Sequence, residues 1–323
     1  MQTDVEQATA GTGSELLTTL AGAVHERVVG QDEVVEGLLI ALLTGGHVLL
    51  EGLPGLAKTL MVRTLAEAIH TDFRRIQFTP DLLPTDIVGT PVFDQRSGEF
   101  KVHKGPIFSN IILADEINRA PPKVQAALLE AMEERQVTIA GETYTLDSPF
   151  MVLATQNPLD LVGTYPLPTP QLDRFLFKIT MDHIDRDAEL DVLDTYKSRR
   201  DKLGKRNTVT REQVLAARAQ IDADVAISSA VKIALVDISR NLRQDDRVLQ
   251  GNSTRSMVLM LPALQVSAAL RSRNFVSAED IELLLPRVLE HRIELAPGVS
   301  DIAGILADNM RAPMEQLARG TLS

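Results

Sequence analysis

The sequence predicts an α/β domain built on a parallel central sheet (a three-layer αβα arrangement), followed by an all-helical domain. Three observations carry that prediction. From about residue 30 to 180, short continuous apolar runs alternate with helical patterns and with glycine or proline punctuation. Runs of that kind belong to strands buried on both faces, with helices between them. One such run, HVLLEG (47–52), passes through the glycine-rich segment GLPGLAKT (52–59) directly into a helical pattern, TLMVRTLAEAI. From about residue 186 onward only helical periodicity remains.

Taken in order, residues 1–24 form an N-terminal segment, residues 25–185 the α/β core and residues 186–323 the helical domain. Four strands are expected in the core: HVLLEG (47–52), FRRIQF (73–78), NIILADE (110–116) and FMVLATQNP (150–158). Two inserts interrupt it. The stretch 81–109 contains a hairpin with Ser97 and Gly98 at its turn, and 137–146 (VTIAGETYTL) turns at Ala140 and Gly141, small residues that tolerate tight-turn dihedrals. In the second half, Thr210 with Gln213 and Ser277 with Asp280 stand at capping-box spacing, each opening a helix. The segments 231–242 and 255–272 carry apolar residues at helical intervals, and no strand is expected there.

Composition removes several classes of function. With no cysteine in 323 residues, disulfides, zinc–thiolate sites, iron–sulfur clusters and thiol nucleophiles are excluded. The net charge of -11 repels phosphate backbones, and 4% aromatic residues without tryptophan leave no platform for stacking bases. Nucleic acid is therefore not an expected partner. The uncharged stretch Gly37 to Leu50 is interrupted by Thr44, Gly45, Gly46 and His47 and falls short of the roughly 20 apolar residues that span a bilayer. The N-terminus carries acids where a secretory signal carries bases. The expected location is the cytoplasm.

The segment 52–59 has the chemistry of a phosphate cradle. Gly52, Leu53, Pro54, Gly55, Leu56, Ala57, Lys58, Thr59 and Leu60 lie between a strand and a helix, so backbone N–H groups and the helix N-terminus can face an anion. Lys58 is placed to reach the β- and γ-phosphates of ATP, and the Thr59 hydroxyl to ligate Mg²⁺. Ala57 stands where such loops usually carry glycine, a replacement expected to be harmless if its φ stays negative. The strand 111–116 ends in two carboxylates, which strand alternation would send to opposite faces. Asp115 is expected to hold Mg²⁺ through its water shell, and Glu116 to orient and deprotonate the attacking water. The pair of motifs predicts ATP hydrolysis.

GLPGLAKT, LADEINRAPPKVQAALLEAMEERQVT, ATQNP, YPLP with QLDRF, and GNSTRS occur in this order over roughly residues 25–295. In this the chain resembles the MoxR family of AAA+ ATPases, whose fold is a P-loop αβα core with a helical lid. The resemblance implies roles that the residues alone leave open. Asn157 matches the sensor-1 position beside the γ-phosphate. Arg174 matches the arginine finger offered to a neighbouring subunit. Arg255 matches sensor 2, a lid contact to ATP, and Val28, Val29 and Gly30 match the segment near the adenine. Arg119 is a second basic candidate for an intersubunit contact.

The resemblance further implies a homo-oligomer, a hexameric ring, acting as a chaperone or remodelling factor on a protein client in complex maturation or metal-cofactor insertion. It implies a partner bearing a von Willebrand factor A domain. Two alternatives are a subunit like the magnesium-chelatase ATPase and a nucleic-acid-remodelling motor. The 113–138 block sits nearer MoxR than the first, and the absence of a basic surface in the composition disfavours the second.

Overall fold

A computed structural model describes residues 13–53, 55–157, 163–201 and 209–320. In the core the elements run α1 (Gly13–His25), α2 (Asp32–Thr44), β1 (Val48–Gly52), α3 (Lys58–Ala68), β2 (Phe73–Gln77), α4 (Pro84–Val88), β3 (Gly89–Asp94), β4 (Glu99–Lys104), β5 (Ile111–Asp115), α5 (Pro122–Glu134), β6 (Gln136–Ile139), β7 (Glu142–Thr145), β8 (Met151–Gln156), α6 (Thr169–Leu172) and β9 (Phe177–Met181). The second half contributes α7 (Arg186–Asp201), α8 (Arg211–Asp224), α9 (Ser229–Gln244), β10 (Val248–Gln250), α10 (Thr254–Leu270), α11 (Ala278–Leu289), β11 (Glu294–Leu295) and α12 (Ile302–Gly320).

Strands β2, β5, β8, β1 and β9 form one sheet in that order, and every pairing within it is parallel. The apolar runs are continuous because both faces are covered, and alternation deals their side chains to two cores. Val48 and Leu50, Ile111 and Leu113, and Met151 and Leu153 join α1–α3 and the second-half helices. Leu49, Ile112, Ala114, Val152 and Ala154 face α5 and the hairpin inserts. The helical half is thus packed into the same apolar core as one face of the sheet.

The two expected hairpins are present. β3 pairs with β4 around Gly98, at φ +71°, and β6 pairs with β7 around Ala140 and Gly141, at φ +52° and +87°. Both capping boxes are formed: Gln213 Oε1 accepts from the Thr210 N–H at 2.8 Å, and Asp280 Oδ2 accepts from the Ser277 N–H at 2.8 Å. No helix among the described residues is long and apolar enough to cross a membrane.

Three features depart from the sequence expectations. The sheet has a fifth strand, β9, whose Phe177, Ile179 and Met181 are buried while Lys178 and Thr180 are not, as an edge strand requires. The second half contains a strand pair, β10 with β11, antiparallel and only three and two residues long. Helix α1 rises within the N-terminal segment and buries Leu17, Leu20 and Val24.

His47, at the start of β1, ties four pieces together. Its Nδ1 accepts from the Val152 N–H at 3.0 Å, its Nε2 lies 3.2 Å from the Met132 carbonyl, and its own carbonyl accepts from the Leu176 N–H at 2.8 Å. An acceptor Nδ1 and a donor Nε2 define the neutral ring. Burial, with the nearby Arg135 guanidinium adding to it, holds His47 down to about 3, and burial does the same to His291. The unfolded chain takes up protons at these rings near pH 6.5, so this stability is complete above that value and is lost as pH falls from 6.5 toward 3. Urea titrations at pH 7.5 and 5.0 should show a loss of roughly 2 kcal/mol per histidine. His47→Gln should be less stable at neutral pH but less sensitive to acid, whereas an unchanged pH dependence would contradict the assignment.

Candidate active site

The parallel order brings the carboxyl ends of β1, β5 and β8 together, where a doubly wound sheet places its ligand. There, Gly52, Gly55, Leu56, Ala57, Lys58, Thr59, Leu60, Arg75, Asp115, Glu116, Thr155, Gln156 and Asn157 line a cavity of ≈ 330 Å³. The sequence-predicted phosphate loop, acidic pair and Asn157 therefore converge on one site. Pro54 lies outside the described residues, and Leu53 is packed against the apolar core.

The loop's residues are there for distinct reasons. A Cβ on Gly52 would stand 2.7 Å from the Met181 carbonyl, so close packing against β9 fixes that glycine. Gly55 is at φ +91° and has open space around it, so conformation alone demands it. Ala57 is at φ +58°, ψ +19°, which overturns the expectation of a negative φ. It is the last residue before α3, so the chain enters this helix from a left-handed residue, and alanine bears that strain. Lys58, the first residue of α3, reaches back to donate to the Gly52 carbonyl at 2.6 Å. Partial burial holds the Lys58 amine below the usual lysine range, against the opposing pull of Asp115 and Glu116.

The acidic pair does not follow strand alternation. β5 ends at Asp115, and Glu116 is left-handed at φ +57°, ψ +49°, so both carboxylates face the same cavity. Non-glycine residues in that region cost on the order of 1–3 kcal/mol and persist where the surroundings enforce them. Here Thr155 does so: its Oγ1 accepts from the Glu116 N–H at 2.8 Å and donates to Asp115 Oδ1 at 2.6 Å. The other carboxylate oxygen, Asp115 Oδ2, takes Arg75 Nη2 at 2.6 Å and Nε at 3.0 Å. Glu116 Oε2 accepts from Gln77 Nε2 at 3.0 Å and pairs with Arg119 Nε at 3.2 Å.

Sequence reading did not single out Arg75, Gln77 or Thr155. The available signal was the polar content of FRRIQF, since β2 pairs in register with β5 and sets Gln77 opposite Asp115.

Arg174 and Arg255 stand elsewhere. Both bind one carboxylate, that of Glu133 at the end of α5: Arg174 Nε meets Oε2 at 2.7 Å and Arg255 Nη1 meets Oε1 at 2.7 Å. These bonds, that of Arg255 foremost, hold the Glu133 carboxyl below the usual range. The three residues line a second cavity, of ≈ 310 Å³, with His47 and Arg135, and it shares no lining residue with the first. Arg255 is thus brought to Arg174 and not to the phosphate loop of its own chain. Val28 is buried in the apolar core, and a Cβ on Gly30 would meet Ile184 and Ala188, so Gly30 packs against the junction with the helical half. They line neither of these two cavities.

A parallel sheet with a phosphate loop after β1, an acidic end on β5, a polar end on β8 and a helical lid defines an AAA+ ATPase. Residues 47–177 match the ATPase family associated with various cellular activities, and residues 240–305 match the AAA lid domain. The uncharacterized protein YeaC of Bacillus subtilis is 44% identical over 85% of both chains. The chaperone MoxR1 of Mycobacterium tuberculosis is 42% identical over 86% of this chain and 76% of its own. A crystal structure of a protein from Cytophaga hutchinsonii assigned as an ATPase superposes with a TM-score of 0.84 at 41% identity, over 93% of this chain and 94% of the other. The chain belongs to the MoxR family of AAA+ ATPases, and it binds and hydrolyses ATP.

The left-handed Ala57 yields a direct test. Ala57→Gly removes the cost of placing a Cβ at φ +58° and should raise stability by about 0.5–1 kcal/mol in urea unfolding, with ATP affinity retained. A destabilised variant would contradict the loop geometry.

Proposed function

We propose that the chain is the ATPase subunit of a hexameric ring whose neighbouring subunits complete each other's sites. The carrying observation is the separation of Arg174 and Arg255 from the loop cavity of their own chain, with both anchored on Glu133. Two cations sharing one carboxylate retain net positive charge, which suits them to an anion arriving from outside. In this reading the anion is the γ-phosphate held by the next subunit, where an arginine neutralises charge developing in the transition state.

Within each site, Lys58 and the backbone amides of the loop hold the phosphates. Thr59 and Asp115 offer a hydroxyl and a carboxylate, hard oxygen donors of the kind Mg²⁺ takes while keeping most of its waters. The ion would neutralise phosphate charge. Glu116 orients and deprotonates the attacking water, Asn157 steadies it, and Val28, Val29 and Gly30 flank the adenine. Thr155 keeps the two carboxylates in separate roles by bonding Asp115 and the Glu116 backbone at once.

As a member of this family, with a relative that is a chaperone, the ring acts on a protein client in the cytoplasm. It serves maturation of complexes or insertion of a metal cofactor, with a partner bearing a von Willebrand factor A domain. A pull-down with the ATP-trapped Glu116→Gln variant as bait should recover such a partner.

Glu116→Gln should bind ATP normally and lose about 10²–10⁴-fold in kcat, the usual loss when a general base is removed. Near wild-type turnover would remove Glu116 from the role. Arg174→Ala should likewise bind ATP and turn over poorly, by roughly 10³-fold or more. Mixing the two inactive variants should restore ATPase activity, because some interfaces then join an intact Glu116 to an intact Arg174. Absence of recovery despite demonstrated co-assembly would place the arginine's action within its own chain.

A further inference from the structure

Arg292 follows α11 in a short 3₁₀ turn and is only 3% exposed. Its guanidinium is spent on the segment that carries Arg174. Nε donates to Asp173 Oδ1 at 2.6 Å, Nη2 to the carbonyls of Asp173 at 3.1 Å and Phe175 at 2.6 Å, and Nη1 to that of Leu176 at 3.2 Å and to that of Val288 on the preceding α11. His291 adds a bond from Nε2 to the Phe175 carbonyl at 3.1 Å. Ser256, next to Arg255 on α10, reaches the same Asp173 Oδ1 at 3.4 Å.

A buried charge is costly unless paired and fully hydrogen-bonded. An ammonium has three donors and could not serve these acceptors, whereas the planar fork can. The arrangement has one evident product. With the carbonyls on both sides of Arg174 pinned to the second half of the chain, the Arg174 side chain is left to project the other way, onto Glu133.

We propose that Arg292 is a positioning residue for Arg174, fixing through Asp173, Phe175 and Leu176 where the lid sets the arginine that is offered to a neighbouring subunit. This rests on Arg174 acting across a subunit boundary. Arg292 lines neither cavity; its bonds tie the backbone around Arg174 to the lid, so the placement of Arg174 follows that of the lid. Small misplacements of a catalytic group cost on the order of 10²-fold in rate.

The test is Arg292→Lys, which keeps the charge beside Asp173 and loses the fork. Its KM for ATP should stay within about twofold of wild type while kcat falls about 10–100-fold. Subunit mixing then separates positioning from general damage. Arg292→Lys mixed with Glu116→Gln should regain activity, since the first supplies a sound nucleotide site and the second a sound Arg174. Arg292→Lys mixed with Arg174→Ala should regain none, because both fail on the arginine side.

The mixture of Arg174→Ala with Glu116→Gln is the control. If the control recovers but Arg292→Lys shows any other pattern, or a wild-type kcat, the positioning role is overturned and the shared site stands. If the control itself does not recover, the shared site falls and this inference with it. Should Arg292→Lys fail to melt cooperatively, Asp173→Asn, which leaves the guanidinium and its carbonyl bonds in place, enters the same mixtures with the same expected pattern and the same overturning results.

Discussion

Everything chemical in this protein depends on the register of five parallel strands. Because β2, β5, β8 and β1 lie side by side and point the same way, Gln77, Asp115, Gln156 and Gly52 end at one edge of the sheet. The polar groups one residue past β5 and β8, Glu116 and Asn157, escape the apolar layers without leaving the site. Continuous apolar runs in β1, β5 and β8 make this possible: both faces of these central strands are covered, so they spend no alternate residues on solvent. The cores on either side hold the ends in position while the loops carry the chemistry.

The site itself is organised around the management of charge. Asp115 is shared between Arg75 and the Thr155 hydroxyl, and Glu116 is held by Gln77 and Arg119 with its backbone bent left-handed. Lys58 lies beside both carboxylates and is half-buried, so the loop keeps its cation in a balanced environment. On another surface of the chain, Glu133 holds Arg174 and Arg255 together, and Arg292 holds the backbone from which Arg174 projects. The phosphate-loop cavity and the Glu133-bound arginine pair thus stand at separate places on the chain, with no lining residue in common.

Much of this was legible in the sequence, and the exceptions have physical causes. The four central strands, both hairpins and both capping boxes follow from apolar runs, turn residues and helix-start chemistry. β9 escaped because Lys178 and Thr180 break its apolar run, as suits an edge strand, and β10 with β11 because two or three residues carry no periodicity. The phosphate loop and acidic pair were readable as residue types at a spacing. Their dihedrals were not: Ala57 and Glu116 are both left-handed, the second held there by the Thr155 hydroxyl. Arg75 and Arg292 were invisible as well, since an arginine's meaning lies in the acceptors the fold brings to it. The family resemblance supplied roles for Arg174 and Arg255, and the structure supplied their shared carboxylate.

The central claim is that a lone subunit lacks the cation its own site needs. It is tested most directly by measuring specific ATPase activity against protein concentration while the assembly state is followed by mass photometry. Activity per subunit should rise steeply with concentration, in step with the ring fraction. A dilute sample shown to be monomeric yet hydrolysing ATP at the full per-subunit rate would contradict the account.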